Sequence, residues 1–484
     1  MLKTFSSNLD PAIVSGLRAG LNGTVITPDD AGYDRARTVF YSIDRRPALI
    51  ARVVNTADVS RVIAVARETG LELAVRSGGH SLAGHSTSDG GIVLDLSGMK
   101  KLEIDPQQRT AWAEAGLTTG EYTNATAIYG LATGFGDAGS VGVGGITLGG
   151  GVGYLVRKHG LTIDSLLAAD VVTADGQLLR ADAQSHPDLF WAIRGGGGNF
   201  GVVTRFQFQL HEVDTIVGGM LMIPATPDTI ASFIAEAEAA PEELTTIANI
   251  MSAPPMPFVP AEHHGQLVIM ALMAYAGEVQ AGQKAIAPFR ALATPIVDML
   301  RPMPYPQIYP PEDPDYHPLG TVRTLFIDAV GRAVADTIVS YLQAPYEGTR
   351  QMAVVQLRVL GGAMARVPEE ATAFAHRKRR IIVNVAVLYS DREEADVHDT
   401  WVTNFASVLR QGQPGAYVNF MGGGSAQQVR EAYPDATWHR LRAIKARYDP
   451  TNFFHLNHNI PPASRQDAEA DQVPGERPTE HVSR

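Results

Sequence analysis

The chain has 484 residues, 45% apolar and 19% charged, with 40 basic against 51 acidic side chains and a net charge of −11. At roughly 150 residues per domain, that length calls for two or three compact units of ordinary globular composition. The acidic balance argues against a nucleic-acid partner, whose phosphates need Lys and Arg, and no run approaches the ~20 apolar residues of a membrane span. Cysteine is absent, so disulfides, thiolate metal sites, iron–sulfur clusters and cysteine nucleophiles are ruled out. The opening MLKTFSSNLD lacks the apolar core of a secretory signal, and the absence of cysteine fits a reducing, cytoplasmic setting.

In chain order, ALIARVV (48–54) reads as a strand, DVSRVIAVARETG (58–70) as an amphipathic helix closed by Gly70, and LELAVRS as a second strand. GIVLDLSGM, LEIDPQQRTAWAEAG and LAADVVTADGQLLRA add strands separated by turn residues. VVTRFQFQL (202–210) alternates, with Phe206, Phe208 and Leu210 on one side and Arg205, Gln207 and Gln209 on the other. After about Val213 the strand-like GGMLMIP and QLVIMALMAYAG flank a helical TIASFIAEAEAAP. The segment 301–318 is too rich in proline for helix or central strand. A helix over about 327–343, the strands MAVVQLRVL and IIVNVAVLYS, and a helix around 395–411 follow. The last helix stops at Tyr448-Asp449-Pro450, and residues 464–484 read as a disordered tail.

Glycine crowds three stretches, RSGGHS (76–81), GSVGVGGITLGGGVG (139–153) and RGGGGNFG (194–201). Such runs let the backbone approach a ligand and aim successive N–H groups at an anion such as a pyrophosphate. Gly196, Gly198 and Gly201 satisfy GxGxxG literally, but a strand follows them where a nicotinamide site needs a helix, so the match is spurious. No P-loop, HExxH or GxSxG occurs, and no metal site is expected. His159, beside Arg157 and Lys158, and the adjacent His263 and His264 read as surface histidines.

RSGGHS, GLATG (130–134), VGVGGITLGGGVGYLVRKHGLTID (141–164), DVVTADG (170–176), DLFWAIRGGGGNFGVVT (188–204) and YDPTNFFHLNHNIPP (448–462) occur in this order. Together they resemble the berberine-bridge-enzyme-like branch of the vanillyl-alcohol-oxidase family, over nearly the whole chain. The resemblance implies an α+β fold: a two-part PCMH-type FAD-binding domain and a substrate domain with an antiparallel sheet backed by helices. The expected boundaries are 1–213 for the first part of the FAD domain, with its PCMH-type portion at about 44–213. Residues 214–444 form the substrate domain, and 445–463 a C-terminal segment returning to the FAD domain.

By the same resemblance, His80 bonds covalently to the 8α-methyl of the flavin, while Arg76, Ser77, Gly78, Gly79 and Ser81 complete its loop. Many relatives carry a second link through a cysteine that corresponds here to Ala138, so attachment is expected to be single. Val141 matches a position where valine leaves room for dioxygen, which implies an oxidase. Gly142, Val143, Gly144 and Gly145 are expected along the flavin, and Gly149, Gly150, Gly151 and Gly153 around the pyrophosphate loop. Gly201 and Val203 are expected near the adenine, and Asn457 and Asn459 at the flavin. Where asparagine is common after Asp164, this chain has Ser165.

AYVNFMGGG (416–424) matches a family strand facing the flavin, with Tyr417 and Asn419 on one face. Tyr417 is the first candidate for base or substrate-orienting phenol. Gln356 shares a strand face with Arg358, which reads either as a cation lowering a tyrosine pKa or as the solvent side of a half-buried sheet. Tyr154 lies near the glycine loop, and His376 and Arg377 fall in a stretch common to the family.

The expected activity is hydride transfer from an alcohol, amine or phenolic substrate to covalent FAD, with dioxygen as acceptor and hydrogen peroxide as product. The alternative is a dehydrogenase or oxidative cyclase with poor dioxygen reactivity. The expected partners are a small-molecule substrate and dioxygen, with neither nucleic acid nor membrane; the sequence leaves substrate identity and oligomeric state open.

Overall fold

Asn55 starts the first long helix by accepting the Asp58 N–H, and Gly70 ends it in the left-handed conformation at φ 68°. In the computed structural model, which describes residues 9–346, 348–423 and 425–464, that helix (Thr56–Thr69) joins strands Leu49–Arg52 and Leu73–Arg76. Strand Ile92–Asp95 inserts between the two and pairs parallel with both, while Thr24–Ile26 adds an antiparallel edge.

A second sheet is antiparallel throughout. Its order is Leu102–Asp105, Thr110–Glu114, Val202–Gln209, Leu166–Val172 and Leu178–Asp182. Its central strand has the expected alternation: Phe206 and Phe208 are buried, and Arg205, Gln207 and Gln209 are partly exposed. One apolar core unites both sheets, and Leu441, Ile444, Phe454 and Ile460 from the end of the chain belong to it. Helix Asp435–Tyr448 thus closes the first half of the molecule.

The third sheet has eight antiparallel strands. Its order is Val297–Asp298, Thr215–Pro224, Leu267–Tyr275, Leu244–Ser252, Met352–Val359, Ile381–Tyr389 and Leu319–Ile327, with Arg301–Pro304 also pairing on Thr215–Pro224. Helices Pro227–Ala239, Val279–Ala291, Arg332–Gln343 and Ala395–Leu409 bury one face of it in a second core. The opposite face meets the glycine-rich loops, where Phe326 and Ile382 pack with Val152, Leu161 and Tyr417.

Several elements differ from expectation. Leu244–Ser252 escapes a search for alternation because eight of its nine residues are buried; both of its faces are covered. The helix expected from 327 starts only at Arg332, after Gly331, because residues up to Ile327 pair with Ile381–Tyr389. Residues 416–423 of the stretch are not a strand, and Gly424 lies outside the described residues. Val418–Phe420 is a 3₁₀ turn, in which the Phe420 N–H donates to the Tyr417 carbonyl and the Met421 N–H to that of Val418, so these amides are spent locally. The proline-rich segment supplies an edge strand and a 3₁₀ turn, Tyr305–Ile308. Among the described residues no helix is long and apolar enough to cross a membrane. The tail reading over 464–484 lies, apart from Ser464, outside the described residues.

Candidate active site

The loop RSGGHS leaves the parallel strand Leu73–Arg76. Arg76 stands in register with Asp95, and its Nη2 donates to Asp95 Oδ2 at 3.0 Å, both side chains buried. The loop then touches the second glycine stretch backbone to backbone: a Cβ on Gly78 would lie 2.2 Å from the Gly142 nitrogen, and one on Gly142 2.2 Å from that of Gly78. Only glycine at both positions permits this approach.

Beside the contact opens a cavity of about 490 Å³ lined by Arg76 to His80, with Phe40, Ser140 and Glu312 among its other walls. The His80 ring stacks on Phe40, centroids 4.2 Å apart, and its Nε2 lies 2.8 Å from Ser140 Oγ. Burial lowers the His80 pKa to about 4 against an opposing pull from Glu312, so the imidazole is neutral at physiological pH. The Ser81 hydroxyl accepts the His85 N–H at 3.2 Å and shapes the loop rather than lining the cavity.

These features fit a flavin dinucleotide. The cradle is free of Cβ atoms at the contact of its two loops, Arg76 Nη1 is buried without a hydrogen-bond partner among the described residues, and so is Asn459 Oδ1. A guanidinium N–H left over at a glycine-rich loop suits a pyrophosphate oxygen.

The second stretch turns into the short helix Val143–Gly149. Gly144 packs against Ser77, Gly145 faces open space, the Val143 side chain is in the core, and Gly153 lies against the Phe135 carbonyl. Val141, partly exposed, accepts the Thr119 N–H through its carbonyl. Gly149 abuts Asn419, and Gly150 abuts Phe374 and Tyr417.

Tyr417 is buried, at 1% exposure. Its hydroxyl accepts the Gly151 N–H and one Asn419 amide hydrogen, both at 2.9 Å, and Asn419 Nδ2 also donates to the Ile146 carbonyl at 3.0 Å. Burial pushes the Tyr417 pKa up to about 12, despite these hydrogen bonds and the Arg358 charge. Though carried on a turn, Tyr417 and Asn419 are together as expected.

Facing them on the third sheet is a row of polar side chains in cross-strand register. Gln356 Nε2 donates to Asn249 Oδ1 at 2.9 Å, and Gln356 Oε1 accepts from Asn384 Nδ2 at 3.0 Å and from Arg358 Nε at 2.8 Å. Arg358 is not on a solvent face. It is 4% exposed, lies over the Phe420 ring and donates to Asp137 Oδ2 at 2.6 Å, because the glycine loops cover this side of the sheet and supply a carboxylate.

The third glycine stretch receives the end of the chain. Asn457 Nδ2 donates to the Gly198 carbonyl at 3.1 Å, and Asn199 takes the Ile460 N–H at 3.0 Å. Gly201, just before the second sheet's central strand, lies against Val172, and Val203 pairs opposite Val171; both are outside the cavity lining. Tyr154 is buried, its hydroxyl unpartnered among the described residues. His159, expected at the surface, is half-buried and stacked on His211 at 4.1 Å. Arg377 is fully buried against Asp164 at 2.7 Å, and His376 bonds the Ala432 carbonyl; both hold structure together. Sequence reasoning did not single out Asp137, Ser140, Glu312, Asn249 or Asn384. Ser140 sits inside the quoted glycine stretch and Asp137 two residues before it, while the others carry no motif.

Family models for an "FAD binding domain" and for "Berberine and berberine like" proteins match residues 47–182 and 416–461. The (R)-6-hydroxynicotine oxidase of Paenarthrobacter nicotinovorans is 29% identical over 91% of this chain and 97% of its own length. An FAD-linked oxidoreductase of Dictyostelium discoideum is 30% identical over 93% and 97%, and the xylooligosaccharide oxidase of Thermothelomyces thermophilus 29% over 86% and 88%. The crystal structure of 6-hydroxy-D-nicotine oxidase from Arthrobacter nicotinovorans superposes with a TM-score of 0.82 at 26% identity, covering 92% of this chain and 98% of that one. The loops that close around a glycine-built cradle, the polar sheet face opposite them and these likenesses agree: the chain belongs to the FAD-linked oxidases of the berberine-bridge-enzyme-like branch of the vanillyl-alcohol-oxidase family.

Proposed function

We propose that the protein oxidises a CH–OH or CH–NH carbon of a small alcohol, amine or phenolic substrate. In this reading FAD is attached once, through His80, and dioxygen is the electron acceptor, giving hydrogen peroxide. The observation that carries the reading is His80 itself: a neutral imidazole, fixed by Phe40 and Ser140, on the wall of a glycine-built cavity. Ala138 stands where relatives carry a second link, so no other covalent bond to the cofactor is available. The common core of the first two sheets and the C-terminal segment supports a two-part FAD domain, 1–213 with 445–463, around a substrate domain at 214–444.

Bound FAD would supply the two-electron acceptor chemistry for hydride from the substrate carbon and for dioxygen reduction. The chain's own residues hold and orient. The Tyr417 oxygen already accepts hydrogen bonds from Gly151 and Asn419, while its proton has no acceptor among the described residues. With its pKa near 12 the phenol stays protonated and donates to the substrate heteroatom, which makes it an orienting group rather than a base. Gln356, its carbonyl oxygen occupied by Arg358 and Asn384, is locked in one orientation on the third sheet.

The test is acid precipitation of the purified wild type and His80→Ala. Yellow flavin that stays with the wild-type chain and leaves the variant supports the reading. Flavin released from both removes His80 from its bonding role. Stopped-flow reoxidation of the reduced protein in air then separates an oxidase from a dehydrogenase.

A further inference from the structure

Ser140 stands between His80 and Glu312, a carboxylate for which the proposed reaction has no role. Its backbone N–H donates to Glu312 Oε1 at 3.2 Å, and its hydroxyl donates to Glu312 Oε2. The carboxylate therefore holds both donors of one residue, and the direction of the hydroxyl proton is set. That leaves the Ser140 oxygen a lone pair toward His80 Nε2, 2.8 Å away, so Nε2 must carry the hydrogen of the neutral imidazole. The other nitrogen, Nδ1, keeps its lone pair and has no hydrogen-bond partner among the described residues. Phe40 holds the ring plane from one side. Glu312 comes from the proline-rich segment that follows the edge strand Arg301–Pro304, far from His80 and Ser140 in sequence, and all three line the same cavity.

We propose that Glu312 and Ser140 form a proton relay that activates His80 for attachment of the flavin. The proposal rests on the covalent reading above. His80 Nδ1 forms the bond to the 8α-methyl carbon, and a C–H bond of that methyl breaks, its proton passing to water. The Nε2 hydrogen moves to Ser140 Oγ as the Ser140 hydroxyl proton moves to Glu312. The electron pair left by the methyl C–H bond reduces the flavin ring, and dioxygen afterwards reoxidises it. Glu312 is thus a positioning and proton-accepting residue for maturation of the enzyme, acting through Ser140. It has no part in substrate turnover.

The relay makes a bond form faster; it does not hold the nucleotide. Its signature is therefore a separation between flavin bound and flavin bonded. The full chain, produced under riboflavin limitation and then given saturating FAD, is sampled over time for total bound flavin and for flavin that survives acid precipitation. The mass increment of the intact chain reports the same bond independently. At saturating FAD, Glu312→Gln and Ser140→Ala are expected to fill with flavin, yet to form the acid-stable bond at least about 100-fold more slowly, the low end of general acid–base effects. Ser140→Thr, which keeps the hydroxyl, is expected to restore the rate. Wild-type rates of bond formation in Glu312→Gln overturn the relay, as does a defect confined to FAD binding. A wild type that never forms the acid-stable bond overturns the covalent reading instead, which His80→Ala run in parallel makes distinguishable.

Discussion

Arg358 and Asp137 meet at 2.6 Å across the junction between the third sheet and the glycine loop, a cation at 4% exposure against a carboxylate that keeps about a quarter of its surface in water. The pair is asymmetric, and so are the consequences of breaking it. Asp137→Ala strands a buried guanidinium and is expected to cost up to about 3 kcal/mol, less than a fully buried pair because solvent reaches the site. Arg358→Met leaves a carboxylate that water can solvate and is expected to cost about 1 kcal/mol. Thermal or denaturant unfolding of the two variants checks the order; equal losses would show that the buried charge is compensated elsewhere.

Tyr417 carries a second expectation. With burial pushing its pKa up to about 12, kcat/KM should show no ionisation of this residue between pH 7 and 10. Tyr417→Phe removes the oxygen that receives the Gly151 N–H and the Asn419 amide, so stability should fall by about 1–3 kcal/mol. Turnover should drop about 100-fold as the substrate heteroatom loses its donor. A pH–rate limb near 9 that disappears in the phenylalanine variant would instead make this residue the base.

The sequence made the glycine cradle legible because close backbone contact admits one residue type, and Gly78 and Gly142 say so without tertiary information. It made Phe206 and Phe208 legible because a one-sided strand alternates. The same logic misleads for Arg358: alternation tells which residues share a face, but not that the face is covered. Tyr417 and Asn419 were paired by their spacing of two, yet they meet through a 3₁₀ turn, whose closure depends on local hydrogen bonds rather than on side-chain pattern. The ladder of Asn249, Gln356 and Asn384 depends on strand register between segments more than a hundred residues apart at its ends, and no local signal carries that.

Gly142→Ala tests the cradle directly. The new methyl would sit 2.2 Å from the Gly78 nitrogen, which neither backbone can yield without parting the loops. The expected result is a soluble protein with less than about a tenth of the wild-type flavin content, seen as a lowered absorbance ratio of flavin to protein, since the pyrophosphate cradle depends on that contact. Gly16→Ala, in helix Pro11–Gly20 and outside the cavity lining, is the control: its Cβ would meet nothing within 4 Å, so loading should persist. Equal flavin content in the two variants would separate the loop contact from cofactor binding.

Stability against pH follows from three histidines buried in neutral form. His85 sits edge-on to His458, with burial lowering their pKa values to about 3 and about 4, and His376 is lowered to about 4 by burial between Phe326 and Phe374. Each folded value lies below the ordinary value near 6.5, so the unfolded chain takes up the proton first. Their contribution is therefore intact above pH 6.5 and is lost as pH falls from there toward about 4, or about 3 for His85. At pH 5 the loss is about 2 kcal/mol for each histidine. Denaturation midpoints at pH 7.5, 6 and 5 should fall in that order. His376→Gln, which can keep a donor toward the Ala432 carbonyl and does not titrate, should flatten the slope by one proton's worth. An unchanged slope in that variant would mean that His376 takes up its proton in the folded protein.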